Sequence, residues 1–113
     1  HWDIDALREH ILAGLRRAFS DDPLITSIGI DSWAVDYALM AGDRMLGTPF
    51  HYRDDRTARG VAAVHAVVPP DELYAASGLQ HLSFNTVFQL AADGDALAEA
   101  DRFLLIPDLV AFW

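Results

Sequence analysis

Three stretches of the sequence gather side chains that could do chemistry. In Gly29-Ile30-Asp31-Ser32-Trp33-Ala34-Val35-Asp36-Tyr37 an apolar run ends and delivers acidic, hydroxyl and aromatic groups together. In open α/β sheets, ligands gather at the carboxyl ends of such strands. Trp33 offers a face on which the C–H groups of a sugar ring can stack, and small Ala34 lets a ligand reach the backbone. The structural alternative makes Trp33 a core residue and Asp31 and Asp36 hydrogen-bonding turn residues. His51-Tyr52-Arg53-Asp54-Asp55-Arg56-Thr57 packs four charges into a short loop. Its guanidinium forks suit either an ion pair with Asp54 or Asp55 or an anionic ligand. Gln80-His81-Leu82-Ser83-Phe84-Asn85-Thr86 sets amides and hydroxyls beside an aromatic ring. That mixture binds polyols, although Asn85 is equally explained as a helix cap.

Several other chemistries lack their residues. All eight basic residues are arginine, so there is no phosphate-loop, Schiff-base or general-base lysine. Zero cysteine excludes disulfides, thiolate nucleophiles and cysteine metal sites. His1, His10, His51, His65 and His81 show neither H-x-H nor H-E-x-x-H spacing, which leaves a histidine metal site unsupported. The seven glycines are scattered, with no G-x-G-x-x-G phosphate cradle and no G-x-S-x-G turn. A net charge of -9 argues against nucleic acid as partner. No run is long and apolar enough for a membrane span, and the first residues lack the pattern of a secretion signal, so the expected location is cytoplasmic.

The clusters need elements to position them. From Asp3 to Phe19, Ile4, Leu7, Ile11, Leu15 and Ala18 recur at helical spacing, with Asp3 or Asp5 placed to cap. Ser20-Asp21-Asp22-Pro23 ends that helix, and Leu24–Ile30 reads as a β-branched strand buried on both faces. Val35–Met40, the turn Ala41-Gly42-Asp43 and Arg44–Leu46 predict a hairpin. Thr57 is placed to cap a helix carrying Val61, Val64, His65 and Val68 on one face, stopped by Pro69-Pro70. Short helices follow over Asp71–Ser77, closed by Gly78, and over Thr86–Ala92, ending at Gly94. A helical turn, Asp95–Ala100, leads to a second buried strand, Phe103–Ile106, and an apolar turn, Asp108–Trp113, comes last. At 113 residues the chain has the size of one domain. Yet two strands buried on both faces need neighbours, and few other strands are available.

Taken in order, four segments resemble the FGGY-type carbohydrate kinases, most closely the rhamnulokinases. They are Ile28–Leu39, Tyr52–Thr57, Ser77–Gln80 with Phe84-Asn85-Thr86 and Gln89-Leu90, and Leu105–Asp108. The resemblance runs the whole length of the chain. It implies an α/β fold, a partial ribonuclease-H-like domain of the actin and hexokinase superfamily with a hairpin and short-helix insertion. It also implies that residues 1–113 are an interior part of the N-terminal, sugar-binding domain, with no second domain. The implied reaction moves the γ-phosphoryl of ATP to the 1-hydroxyl of L-rhamnulose, by positioning, charge neutralisation with Mg²⁺ and a base for the attacking hydroxyl. The general-base aspartate and the MgATP-binding parts fall outside this stretch, so no catalytic residue, metal or cofactor is expected here and the chain alone should be inactive. Trp33, Ala34, Tyr52, Phe84 and Asn85 are the substrate-binding positions that the resemblance implies, while Arg53, Asp54 and Arg56 hold their loop in shape. Ala34 stands where the rhamnulokinase pattern has glycine, and a methyl group there bears on which ketose fits. The alternatives are a non-catalytic sugar-binding or regulatory module, or part of a kinase for L-fuculose or D-xylulose. An exposed sheet edge should favour self-association.

Overall fold

The computed structural model describes residues 1–113. The Asp3 carboxylate accepts the Ala6 N–H at 3.1 Å and caps α1 (Ile4–Asp21), as the sequence predicts. Beyond Pro23 the structure departs from expectation: residues 24–35 contain neither strand nor helix, and Leu24 and Ile28 are 83% and 56% exposed. A strand buried on both faces needs partners for its N–H and C=O groups. None stands beside Leu24–Ile30, because the sheet consists of three other strands in the order β2-β1-β3.

The hairpin forms where it was expected, as β1 (Tyr37–Ala41) and β2 (Arg44–Met45). Its first strand begins at Tyr37 rather than Val35, because Val35 adopts φ +70° and the Asp36 N–H donates to the Ala34 carbonyl at 3.0 Å. This is a γ-turn of the strained hand, and it interrupts the extended backbone. α2 (Thr57–His65) follows and stops short of Val68. Thr57 does not cap it: Arg56 occupies the capping position, and the Thr57 hydroxyl donates instead to the Asp54 carbonyl. α3 (Pro70–Ser77) ends on left-handed Gly78, and α4 (Thr86–Asp93) gives way to α5 (Asp95–Glu99). β3 (Arg102–Leu105) lies antiparallel to β1, pairing Tyr37 with Leu105 and Met40 with Arg102. It is not the doubly buried strand expected, since Arg102 and Phe103 are exposed. Ile106, expected to close that strand, opens α6 (Ile106–Phe112), where Pro107 sits in the first turn with no amide donor to waste. The Gly42 N–H donates to Asp101 at 2.7 Å, tying the hairpin turn to the start of β3. With Arg102 adding to it, this bond holds the Asp101 carboxyl below the usual carboxylate range.

Two packed centres result. In one, Ile4, Ala38, Met40, Ile106 and Leu109 join α1, β1 and α6, with Trp33 and Trp113 against them. In the other, α2 lies on α4 around buried Phe88, Ala92 and Gly60. Only 14 of 113 residues are buried, and the radius of gyration is 17.0 Å. A compact chain of this length has about 13 Å, so the two centres form an elongated arrangement. The mixed helices and small antiparallel sheet agree with the α/β class. No helix is long and apolar enough to cross a membrane.

Gly60 sets how closely α2 approaches α4. A Cβ there would overlap the Phe88 carbonyl oxygen and lie 3.2 Å from the Ala92 nitrogen, both backbone atoms that cannot turn aside. Gly60→Ala should therefore destabilise the chain by about 1–3 kcal/mol through overpacking, despite alanine's better helix propensity. Urea unfolding measures this, and an unchanged midpoint would show that α2 and α4 are not in this contact.

Candidate functional site

Asp36 is fully buried at the start of the hairpin. Its Oδ2 accepts the indole N–H of Trp2 at 2.7 Å, the indole N–H of Trp33 at 3.0 Å and the backbone N–H of Tyr52 at 3.3 Å. Its Oδ1 accepts the Gln89 amide at 3.2 Å. Every contact is a donor, the pattern that a carboxylate can satisfy on both oxygens. Of the two readings open for Asp36, the structural one accounts for all of its bonds.

Gln89 carries the network into α4. Its amide nitrogen also lies 3.2 Å from the Val35 carbonyl and 3.0 Å from the Phe84 carbonyl, and its Oε1 accepts from Arg56 at 3.2 Å. Thr86 adds a hydroxyl bond to the Val35 carbonyl at 2.9 Å, so two side chains of α4 hold the strained γ-turn. Arg56 pairs with Asp93, with both side chains buried, and its guanidinium lies over the Phe50 ring at 3.8 Å. The expected partner was Asp54 or Asp55. Asp54 instead accepts the Arg56 backbone N–H at 2.9 Å, and Asp93 also accepts the Tyr37 hydroxyl. Sequence reasoning passed over Asp93. The signal was present as the polar spacing Thr86, Gln89, Asp93, which lines one face of a helix at i, i+3 and i+7.

The aromatic residues near this network form a row. Phe84 meets Tyr52 edge-on at 5.5 Å, Tyr52 stacks on His51 at 4.5 Å, His51 on Trp2 at 4.4 Å, and Trp2 leans on Trp33 at 4.4 Å. Trp33, Tyr52 and Phe84, far apart in sequence, are thus gathered by bonds to Asp36 and Gln89. Ala34 is exposed on the γ-turn beside Trp33. Asn85 faces elsewhere: its amide donates to the Gln80 carbonyl at 2.9 Å, and it gives no side-chain cap to α4. It lines a cavity of about 540 Å³ with Tyr74, Leu79 and His81, whereas Trp33 borders an apolar groove of about 650 Å³ between α1 and α6. The five sequence-predicted positions therefore divide between the aromatic row and the Asn85 cavity. No three His, Asp or Glu side chains converge as a metal centre.

No protein-family model matches the chain. It is 42% identical, over 98% of its length, to a rhamnulokinase of Klebsiella pneumoniae subsp. pneumoniae, and 41% identical over the same share to a rhamnulokinase of Klebsiella pneumoniae strain 342. The chain spans about a quarter, 24%, of the length of each of these curated relatives. The resemblance read from the motifs therefore holds across almost the whole stretch.

Burial pushes the Tyr37 phenol well above its ordinary value, and the hydrogen bond to Asp93 and that carboxylate's charge add to the rise against the opposing pull of Arg56. The fold thus favours the neutral phenol. Its contribution to stability is complete below the ordinary tyrosine range, near pH 10, and is lost as the pH climbs beyond it. In an alkaline titration followed by phenolate absorbance, Tyr37→Phe should remove the last phase and make the alkaline loss of stability shallower. Loss of an ordinary phase near pH 10 in Tyr37→Phe, with the late phase kept, would contradict the buried Tyr37–Asp93 contact.

Proposed function

From this similarity to rhamnulokinases, we propose that the chain is the sugar-side part of an FGGY carbohydrate kinase whose whole form phosphorylates the 1-hydroxyl of L-rhamnulose or a related ketose. The observation that carries this reading is the identity over 98% of the chain. On this reading residues 1–113 are an interior part of a ribonuclease-H-like N-terminal domain of a cytoplasmic enzyme. The general base and the groups that hold MgATP belong to the rest of the enzyme. Mg²⁺ there would neutralise phosphate charge, and this stretch contributes only position.

The roles of its residues follow from their surroundings. Trp33 has committed its N–H to Asp36 and one side of its ring to Trp2, so it can serve a sugar only with what remains of its face. Ala34, exposed on a turn whose strain fixes its backbone, meets the ligand through main-chain atoms and one methyl group. Tyr52 and Phe84 extend the apolar wall, whereas Asn85, whose amide is given to the Gln80 carbonyl, could serve a ligand only from the neighbouring cavity.

A chimera tests the reading: this chain replaces the corresponding quarter of the Klebsiella pneumoniae rhamnulokinase. It should phosphorylate L-rhamnulose with Mg²⁺ and ATP, whereas the isolated chain should make no sugar phosphate. Trp33→Ala in the chimera should lower kcat/KM by roughly tenfold or more, about 1.4 kcal/mol. Ala34→Gly should change the preference among L-rhamnulose, L-fuculose and D-xylulose. A folded chimera that phosphorylates none of the three overturns the proposal, as does turnover by the isolated chain.

The exposed Leu24–Ile30 run bears on the chain in isolation. It is uncharged and β-branched, and the backbone N–H groups of residues 26–30 have no partner within the chain. We propose that it pairs between copies as an added strand. Sedimentation should show association that grows with concentration and is suppressed in Ile28→Pro, which removes a donor without touching a packed element. A strictly monomeric wild-type chain at high concentration would refute this.

A further inference from the structure

His65 and His81 stand sixteen positions apart in sequence, yet the fold brings their rings together. His65 closes α2, and His81 lies in the loop between α3 and α4. The Nε2 of His65 is 3.4 Å from the Nδ1 of His81, with ring centroids 5.3 Å apart. The other nitrogen of His65, Nδ1, sits 3.1 Å from the Val68 carbonyl. A carbonyl can only accept, so this bond fixes the His65 proton on Nδ1 and leaves the Nε2 lone pair directed at His81. The ring of buried Phe88 lies against both imidazoles, at 5.3 Å and 5.1 Å, and limits how far either can rotate.

We propose that His65 Nε2 and His81 Nδ1 form a two-ligand site for a divalent transition metal of the nickel, copper and zinc group. The geometry fits: a tetrahedral metal with bonds of about 2.0–2.1 Å to nitrogen separates two ligand nitrogens by about 3.4 Å. Imidazole suits these metals, and an outer carbonyl that orients one ring is the usual support of a metal-bound histidine. Binding requires His81 to carry its proton on Nε2, which that exposed ring is free to do. His81 is exposed and His65 half-buried, so the remaining coordination positions stay open to water. No third His, Asp or Glu converges on the pair, so the metal acts as a clip. It joins the end of α2 to the loop that leads to Phe84 and Asn85, and it is independent of the kinase reading. Binding to the folded chain alone stabilises that fold by mass action.

The test uses the whole chain with His1→Ser in every arm, which removes the imidazole that could chelate together with the amine of the first residue. Calorimetric titration with Ni²⁺ should show one site, and the thermal midpoint should rise with Ni²⁺. Mg²⁺, which demands oxygen ligands, should do neither. His65→Gln and His81→Gln should each weaken Ni²⁺ binding by about tenfold or more, since each leaves a single imidazole. Circular dichroism without metal checks that both variants remain folded. His81→Gln changes an exposed ring and keeps the assay decisive if His65→Gln does not fold. Unaltered Ni²⁺ affinity in His81→Gln, or no binding by the parent chain, overturns the site.

Discussion

A buried carboxylate organises this molecule. Taking an isolated charge out of water costs many kcal/mol unless donors replace the lost hydration, and Asp36 has four donors on its two oxygens. They come from four separate places: Trp2 ahead of α1, Trp33 at the end of the irregular segment, Tyr52 in the loop before α2, and Gln89 in α4. The Asp36 carbonyl adds a fifth, accepting the Ile106 N–H where β3 passes into α6. Few residues could replace Asp36. A hydrophobe would strand two indole N–H groups and an amide in the interior, and an asparagine would turn one acceptor into a donor facing donors.

The γ-turn at Val35 depends on that arrangement. A β-branched residue at φ +70° stores about 1–3 kcal/mol of backbone strain, which persists only when the surroundings over-determine it. Here Thr86 and Gln89 hold the Val35 carbonyl while Asp36, the next residue, is fixed on both oxygens. The turn points Ala34 outward and sets the Trp33 ring against Trp2. Further along α4, Asp93 joins Arg56 and Tyr37 to the same helix face, so one polar stripe fastens the loop, the hairpin and α2 together. The Arg56–Gln89 bond links the two buried groups into one network.

Much of this was legible in the sequence because it is local. The cap at Asp3, the hairpin turn at Gly42-Asp43 and the left-handed stop at Gly78 each follow from a residue and its immediate neighbours. The motif order pointed to the relatives that the chain matches. Long-range choices were not legible. Leu24–Ile30 has strand composition, but a strand needs a partner, and composition does not say whether one is present. Arg56 had two nearby carboxylates and took a distant one, because Asp93 arrives already buried on a helix face while Asp54 is spent on the backbone. The pairing of His65 with His81 was likewise invisible, since it depends on how α2 and α4 pack around Phe88.

The distribution of burial explains why the site can be well defined in so extended a chain. α1 is 18 residues long, yet only Ile4 is buried, so most of its apolar stripe faces the groove bordered by Ile28, Ile30 and Trp113. Beyond its first turns, α1 is held by its own hydrogen bonds and by exposed pairs such as Arg17–Asp21, which contribute a few tenths of a kcal/mol at most. Most of a helix's stability in a protein comes from packing its apolar face. Around Asp36 the balance is reversed, because every segment there is fixed by a directional bond to one buried carboxylate. Filling or emptying the groove would therefore change the order of α1 and of residues 24–30 far more than the positions of Tyr52 and Phe84. Trp33 is the exception, since it belongs to both regions: its N–H is tied to Asp36 while its ring borders the groove. It is the one aromatic residue of the row that also borders the groove, so a change there reaches the row through it.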